Sequence, residues 1–276
     1  MSYSVILIDD PAPLVRRITL NRPEKRNPLG ATMRAEILHA LHAHDLDDDV
    51  RVTVIRGAGK CFSAGYDLGG GSVGEEPDYR SSEGAYPRSV TEGWMSIWDL
   101  AKPVIAQVHS YCLAGATELA TGCDLVYVAE DAQIGYPAVR FGVPDMHFHA
   151  WLCGMRAAME MMLTGDSISG EEAVALGWAN RAFPADELDA AVVQVAERVA
   201  KIPTDIVQIN KRTVRRAMDN MGMRASIRAG TELCGLAMHT EAFQDFLRER
   251  ETSLTAALTK RDSPFGDYRT GSTNEN

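Results

Sequence analysis

The chain has 276 residues, of which 45% are hydrophobic and 24% charged, and its formal net charge is −10. This balance is typical of a globular protein with a substantial core, and it excludes collagen, coiled-coil and intrinsically disordered classes. Because attraction to phosphates needs a basic surface, the acidic balance argues against a general nucleic-acid binder, although it allows a local basic patch. The length fits one large α/β domain, or a main domain with a smaller appendage.

The five cysteines lie far apart in the sequence and form no CxxC pair, so neither a zinc site nor a redox dithiol is predicted. We expect them to be thiols in a reducing compartment. The first residues, MSYSVILIDD, include two aspartates where a signal peptide would need an apolar segment after basic residues. Polar residues interrupt every apolar stretch well before the ~18 residues of a membrane span. We therefore expect a cytoplasmic protein.

Strands and helices are predicted to alternate along the first 200 residues. Apolar and β-branched segments predict strands at residues 5–9, 15–20, 50–56, 104–108 and 125–129. Apolar residues at helical spacing predict helices at residues 33–44, 91–101 and 115–122. Such alternation favours a layered α/β fold with parallel pairing of the strands.

The pattern changes after residue 200. Residues 206–228 and 232–258 are predicted to be helical, with no strand pattern among them. We therefore place a boundary near residue 200, between an α/β core (1–200) and a helical C-terminal region (201–265). The polar, glycine-containing residues 266–276 are predicted to form a disordered tail.

Two strand-to-helix turns carry the strongest indication of chemistry. One is FSAGYDL at residues 62–68, and the other is LAGATE at residues 113–118. Their small residues allow the backbone to approach a ligand closely, and free N–H groups can point at one oxygen atom. Two such amides converging on a carbonyl would form an oxyanion hole, which stabilises an enolate. Strand-to-helix turns use small residues in general, so on composition alone a purely structural explanation stays open.

Several longer motifs resemble the enoyl-CoA hydratase/isomerase (crotonase) family. They are NRPEKRNPL, VRVTVIRGAGKCFSAGYDL, KPVIAQV, ELATGCDLVYVAEDAQIG and AMEMMLTGDSISGEEAVALGWANRAFP. The similarity runs from about residue 5 to residue 260, nearly the whole chain. Because independent motifs occur in the family's order, the match is far more specific than a single short glycine motif.

The resemblance implies a spiral of repeated ββα units and a helical C-terminal region that builds trimers, often paired into hexamers. It implies acyl-CoA thioester substrates, with coenzyme A as part of the substrate and with no metal or redox cofactor. The backbone N–H groups of Tyr66 and Gly115 match the positions that hold the thioester oxygen in the family. The residues that match the family's coenzyme A contacts are Glu24, Lys25, Arg26, Ala64, Gly65, Asp67 and Leu68.

The expected catalytic carboxylates follow the family pattern only in part. Glu118 matches one of the two glutamates of the hydratases, although a glutamate in a first helical turn is also favoured by capping and by the helix dipole. The second glutamate is expected directly after Gly135-Tyr136-Pro137, where this chain has Ala138.

Loss of that glutamate bears on the reaction. Adding water to an enoyl double bond shares acid and base work between two carboxylates, and losing one commonly costs a factor of ~10² to 10⁴. One carboxylate above an oxyanion hole can still move a proton between two carbons of a dienolate. We therefore predict weak or absent hydration of simple enoyl-CoAs, and isomerisation or action on an unusual acyl group instead.

Asp145 is a candidate for a second catalytic carboxylate. It lies near the place where a dienoyl-CoA isomerase and a haloaroyl-CoA dehalogenase of this superfamily carry a catalytic aspartate, but after Pro144 it could equally be a helix N-cap. His147 and His149 are predicted to be buried, hydrogen-bonded side chains rather than acid/base groups or metal ligands. Tyr66 places a large ring where small side chains are common, so it could line the acyl pocket or cap it.

Two other functions stay open as alternatives. A non-catalytic acyl-CoA-binding homologue would keep the fold and the trimer. An RNA-binding homologue would use basic residues along a predicted helix, as a known relative of the family does. Those residues are Lys211, Arg212, Arg215, Arg216, Arg224 and Arg228. With a net charge of −10, we favour a solvated helix face or a subunit contact over binding to nucleic acid.

Overall fold

The computed structural model describes residues 3–68, 85–144 and 146–266. Its strands are β1 (Ile6–Ala12), β2 (Val15–Leu20), β3 (Val52–Gly57), β4 (Val104–Val108), β5 (Tyr111–Leu113), β6 (Leu125–Ala129), β7 (Gln133–Gly135), β8 (Ile168–Ser169) and β9 (Arg181–Phe183). Its helices are α1 (Ala31–Leu46), α2 (Ala85–Ser96), α3 (Gly115–Gly122), α4 (His149–Thr164), α5 (Gly170–Ala175), α6 (Leu188–Ala200), α7 (Thr204–Asn220), α8 (Met223–Ala237), α9 (Glu241–Thr252) and α10 (Leu254–Asp262). Short 3-10 turns lie at Pro23–Lys25, Ile97–Asp99 and Pro137–Arg140.

A six-stranded sheet in the order β1-β2-β3-β4-β6-β9 forms the centre of the molecule. β1 and β2 are an antiparallel hairpin, and every later neighbour in this sheet pairs in parallel. β3 and β4 are almost completely buried apolar segments, as expected for parallel strands that are covered on both faces. Helix α6 packs across most of this sheet, and α1 and α3 also pack against its strands.

A smaller sheet in the order β5-β7-β8 brings the two strand-to-helix turns together. β5 follows β4 after only two residues and leads directly into α3. Ser63, in the turn after β3, forms a parallel bridge with Cys112 in β5. The turn that ends β3 therefore lies beside the turn that begins α3, and this neighbourhood is the candidate site.

The predicted boundaries hold where apolar segments end at turn residues. β2, β4, β6 and α3 have the predicted bounds. β1 continues to Ala12, beyond the predicted end at residue 9, because Pro11 sits at a sheet edge where the pairing register is already irregular. The predicted helix at 91–101 begins earlier, at Ala85, and ends in a 3-10 turn.

The C-terminal region consists of four helices rather than the two long segments predicted. Gly222, with φ of +98°, separates α7 from α8. The hydroxyls of Thr240 and Ser253 accept backbone N–H groups and begin α9 and α10 as N-caps. The boundary near residue 200 stays a prediction, and the tail predicted from residue 266 lies, from residue 267 onward, outside the described residues.

Helices α9 and α10 are held against the body of the chain by a buried arginine. The Arg140 side chain is 3% exposed and pairs with Asp262 at 3.2 Å and with Asp166 at 3.0 Å. The neighbouring Phe141 ring stacks on Phe246 of α9 with centroids 4.0 Å apart. Among the described helices, none is long and apolar enough to cross a membrane.

Candidate active site

Backbone hydrogen bonds fix the two turns against each other. The Ser63 N–H donates to the Tyr111 carbonyl, and the Leu113 N–H donates back to the Ser63 carbonyl, both at 3.2 Å. Gly65 has φ of +99°, and a Cβ atom there would lie 2.7 Å from the Leu113 carbonyl oxygen. Only glycine fits this position, because both the left-handed backbone and the close approach exclude a side chain.

Tyr66 and Gly115, the two residues expected to supply oxyanion-hole amides, are in direct contact. Gly115 is the first residue of α3, so its amide is one of the N–H groups that a helix leaves without an intrahelical acceptor. A Cβ atom on Gly115 would lie 2.7 Å from Cδ2 of Tyr66 and closer still to Cε2 and Cζ. The Tyr66 ring therefore covers the start of α3. The oxyanion hole itself stays a prediction.

Glu118 lies at the centre of a buried network of polar side chains. Its side chain is fully buried, in a helix whose other residues are also buried. The Tyr136 hydroxyl donates to Oε1 at 2.8 Å, and the Tyr66 hydroxyl donates to Oε2 in a short hydrogen bond. The indole N–H of Trp94 donates to the Tyr66 hydroxyl oxygen at 3.1 Å. Both side-chain oxygens thus accept a hydrogen bond, which a buried polar group requires.

A cleft of about 1190 Å³ opens between this network and helices α9 and α10. Single drug-sized ligands occupy pockets of about 300–1,000 Å³, so this cleft can hold a larger, extended ligand. Six of the predicted site residues line it, namely Lys25, Arg26, Ala64, Tyr66, Asp67 and Leu68. Gly65, Gly115 and Glu118 lie behind that lining.

The basic residues at the rim of the cleft belong to the turn at Pro23–Lys25. Arg22 pairs with Asp67 at 3.3 Å and so connects this turn to the FSAGYDL segment. The fully buried Asn27 amide donates to the carbonyls of Ala58, Cys61 and Phe62 at 2.9 to 3.1 Å. The sequence did not indicate that Asn27 fixes the backbone of the site, although the NRPEKRNPL motif contains this residue.

Ala138 lies on the 3-10 turn at Pro137–Arg140 and lines the cleft with a methyl group. In the described part of the chain, the acidic side chains that line the cleft are Asp67 and Asp262. Asp67 is paired with Arg22, and Asp262 is paired with Arg140 and Arg261. Glu118, behind the lining, accepts hydrogen bonds from the phenols of Tyr66 and Tyr136.

The remaining acid/base candidates lie just before α4 and at its first residue, His149. Asp145 is outside the described residues, so its predicted role stays a prediction. His149 is buried, and desolvation lowers its pKa to about 3, which keeps the imidazole neutral. Its ring stands edge-on to Tyr136 at 6.1 Å. The His147 side chain is hydrogen-bonded to the backbone of Pro144, as expected. The Nε2 atoms of His147 and His149 have no hydrogen-bond partner among the described residues.

Several of the basic residues in the predicted RNA-binding helix are neutralised by this chain's own carboxylates. Lys211 and Arg215 both pair with Asp124, at 2.8 and 3.1 Å. Arg224 pairs with Asp99 at 2.6 Å, and Arg228 pairs with Glu92 at 2.6 Å. Paired charges attract phosphates weakly, so the structure gives the RNA-binding alternative no support.

A model of the enoyl-CoA hydratase/isomerase family matches residues 13–268 of this chain. The chain belongs to this family. The mitochondrial enoyl-CoA hydratase of Pongo abelii is 31% identical over 255 residues, which are 91% of this chain and 83% of that protein. Homologues with this name support an enzyme of the hydratase/isomerase family that acts on acyl-CoA.

Solved structures of family members confirm the predicted crotonase fold. An enoyl-CoA hydratase/isomerase from Xanthobacter autotrophicus Py2 is 33% identical, with a TM-score of 0.88 over 96% of this chain and 99% of that one. An enoyl-CoA hydratase from Mycobacterium smegmatis is also 33% identical, with a TM-score of 0.87 over 96% of each chain. The fold class and the family are therefore as the motifs predicted.

Proposed function

We propose that this family member forms an enolate of an acyl-CoA thioester and moves protons with a single carboxylate, Glu118. The observation that carries the proposal is the asymmetry of the site. Glu118 is buried beside the paired turns and accepts hydrogen bonds from two phenols. At the position of the second family glutamate, this chain has only the methyl side chain of Ala138. The amides of Tyr66 and Gly115 would hold the thioester oxygen as it becomes negative.

A single carboxylate suits isomerisation better than hydration. In isomerisation, the base takes a proton from the α-carbon and returns one to the far end of the same conjugated enolate, which is the γ-carbon of a 3-enoyl thioester and the ε-carbon of a 3,5-dienoyl thioester, so one group serves both steps. Hydration also needs a water molecule activated at the β-carbon, which is work for a second acid/base group. We therefore propose isomerisation of 3-enoyl or dienoyl thioesters, or action on an unusual acyl group, with weak hydration of simple enoyl-CoAs.

We propose that coenzyme A enters only as part of the substrate and that no other cofactor takes part. Lys25 and Arg26 line the cleft on a surface turn, beside Arg22, and can meet its phosphates. Amide donors stabilise the enolate oxygen without a metal ion. The five cysteines, all among the described residues, form no disulfide, which fits the expected cytoplasmic location.

We also propose a homotrimer or hexamer. Met155, Met159 and Leu163 of α4 are 62%, 53% and 79% exposed and follow each other at one-turn spacing, so they form an apolar stripe. Leu233 and Leu236 of α8 are 55% and 67% exposed. Apolar faces of this kind are typical of subunit contacts. Light scattering measures the mass in solution, and a monomer at micromolar concentration would refute this part of the proposal.

The first experiment compares the wild type with Glu118→Gln on crotonyl-CoA, 3-hexenoyl-CoA and 3,5-octadienoyl-CoA. Mass spectrometry detects hydration as an added water, and chromatography separates the double-bond isomers. We expect isomerisation by the wild type, a loss of ~10² to 10⁴ in kcat for the variant, and unchanged affinity for coenzyme A. Glu130→Gln, at an exposed glutamate, is the matched control and retains wild-type activity.

Other outcomes point elsewhere. Fast hydration of crotonyl-CoA would refute the single-carboxylate proposal and direct the search for a second acid to Asp145. If the wild type turns over none of the three thioesters but still binds coenzyme A, the result would favour the non-catalytic acyl-CoA-binding alternative.

A second experiment restores the family's other carboxylate. Because residue 138 lines the cleft, Ala138→Glu places a carboxyl group there, and we expect hydration of crotonyl-CoA to rise by ~10² relative to the wild type. Ala138→Gln has the same size without the charge and is the matched control. An equal effect of both substitutions on hydration would show that size, and not acid/base chemistry, limits the reaction at this position.

A further inference from the structure

The hydroxyl of Tyr66 stands between Glu118 and the cleft. Tyr66 and Tyr136 line the cleft, whereas Glu118 does not and its side chain is fully buried. Each oxygen of the Glu118 carboxylate accepts a hydrogen bond from one of these two phenols. A proton that passes between a substrate in the cleft and Glu118 therefore meets a phenol oxygen first.

Of the two phenols, Tyr66 is the better placed to pass a proton on. Its ring lies against Gly115, whose amide is proposed to hold the thioester oxygen, so its hydroxyl is on the side of the substrate's reacting carbons. Its oxygen also accepts the indole N–H of Trp94, which would stabilise negative charge that develops there. Tyr136 is only 2% exposed and is packed edge-on against His149.

We propose that Tyr66 is a catalytic residue that relays the proton between the substrate and Glu118. This inference rests on the proposed function. In the first half of the reaction, the α C–H bond breaks and its electron pair enters the dienolate. The proton goes to the Tyr66 oxygen, while the phenol proton of Tyr66 passes to Oε2 of Glu118. In the second half, the Glu118 proton returns to the Tyr66 oxygen, and the phenol proton goes to the far end of the same conjugated enolate. No oxidant or further reactant is needed.

The relay also bears on which substrates the site can accept. The large Tyr66 ring occupies space directly over the start of α3. A planar, conjugated acyl group can lie against the ring of a tyrosine, whereas an acyl chain branched at the α-carbon would push the phenol away from Glu118. We therefore expect unbranched, unsaturated acyl groups to react faster than α-methyl analogues of the same length.

The central test is Tyr66→Phe, which keeps the ring over Gly115 and removes only the hydroxyl group. On the thioester that the wild type isomerises, we expect kcat to fall by ~10² or more, with KM changed less than about threefold. Tyr136→Phe removes the other donor to Glu118 and is expected to lower kcat less than about tenfold. Tyr127→Phe, at a buried phenol in β6 that is not among the residues lining the cleft, is the control for loss of a hydroxyl group.

A second measurement separates a relay from a phenol that only orients Glu118. Incorporation of 3-fluorotyrosine at position 66 keeps the O–H group and lowers the phenol pKa. If the phenol transfers the proton, the alkaline limb of the kcat–pH profile moves to lower pH. If the phenol only positions Glu118, that profile stays where it is. Because this substitution is nearly isosteric, it also provides a test should Tyr66→Phe fail to fold.

Each outcome decides between the two proposals. Loss of kcat in Tyr66→Phe together with a shifted profile supports the relay. An active Tyr66→Phe beside an inactive Glu118→Gln overturns the relay and leaves the proposed function intact, and so does an unshifted profile. Activity in both variants overturns the proposed function itself, because Glu118 would then not be the base. A wild type that isomerises none of the three thioesters overturns the proposed isomerisation and, with it, the relay.

Discussion

Replacing Gly115 by alanine tests the geometry on which both proposals rest. The backbone at Gly115 is helical, so alanine fits its φ and ψ angles and would by itself stabilise α3 by up to about 1 kcal/mol. The obstacle is the Tyr66 ring, because the new Cβ would lie 2.7 Å from Cδ2 and closer still to Cε2 and Cζ. We expect the destabilisation by the clash with the Tyr66 ring to exceed the gain in helix stability.

The size of the effect follows from these distances. Carbon atoms in contact prefer separations of about 3.5–4.0 Å, so the ring has to withdraw by about 1 Å. The Tyr66 hydroxyl then loses its bonds with Glu118 and Trp94, which contribute about 1.5–3 kcal/mol and about 1 kcal/mol respectively. After the helical gain is subtracted, the net loss of unfolding free energy is about 2 kcal/mol. Displacement of the hydroxyl by 1 Å should also lower kcat by ~10².

The assay is a double-mutant cycle measured by urea unfolding. It compares the wild type, Gly115→Ala, Tyr66→Ala and the double variant. In the Tyr66→Ala background there is no ring for the new Cβ atom to displace. We therefore expect Gly115→Ala to leave the unfolding free energy unchanged or to raise it there. The same cost in both backgrounds, within about 0.5 kcal/mol, would refute the reasoning. Gly122→Ala is the control in the same helix, because a Cβ there would meet only ordinary contacts at 3.4 Å or more.

Two further predictions concern stability. Between pH 6.5 and about 3, unfolded His149 binds a proton that the native imidazole, with its pKa of about 3, does not, so stability is lost as the pH falls. We measure the unfolding free energy in urea at pH 7.5 and at pH 5. Between these pH values, His149→Leu should lose about 2 kcal/mol less unfolding free energy than the wild type, and an equal loss would contradict the lowered pKa of His149. Arg140→Ala should lower the unfolding free energy by about 3 kcal/mol, since it removes one of two arginines from the buried Asp262. Arg248→Ala, at an exposed arginine, is the control and should lower the unfolding free energy by no more than about 0.5 kcal/mol. A similar decrease for both variants would show that the ion pairs of Arg140 contribute little to stability.

Five of the six strands of the central sheet could be predicted from the sequence, because they are unambiguous locally, whereas β9, with only three residues, was not predicted. β2, β4 and β6 are short, β-branched, apolar segments that end at polar or turn residues, and their bounds were predicted correctly. β5, β7 and β8 contain only two or three residues each, so they have no periodicity to detect. They exist because tertiary packing brings their backbones together, which a local pattern does not encode.

The candidate site could be predicted from the sequence only in part. Gly65, Tyr66 and Gly115 were singled out from the two turns and from the family motifs, and their roles stay predictions. The side-chain network did not follow, because Trp94 and Tyr136 lie 28 and 70 residues from Tyr66 in the sequence and are joined only by the fold. Tyr136 does appear next to the expected second glutamate position, yet its direction toward Glu118 is a property of the 3-10 turn that follows it.

The same network supports a functional reading of Glu118 over a structural one. Every residue of α3 is buried, and an apolar side chain at position 118 would pack there without the desolvation that a buried carboxylate suffers. The chain instead retains the carboxyl group, and two phenols donate to its oxygens, while the Trp94 indole donates to the Tyr66 hydroxyl oxygen. Buried polar groups that an apolar core could replace are expected where chemistry requires them. Ala138 makes this argument stronger, because Glu118, the family carboxylate that this chain keeps, has a hydrogen-bond donor at each of its two oxygens.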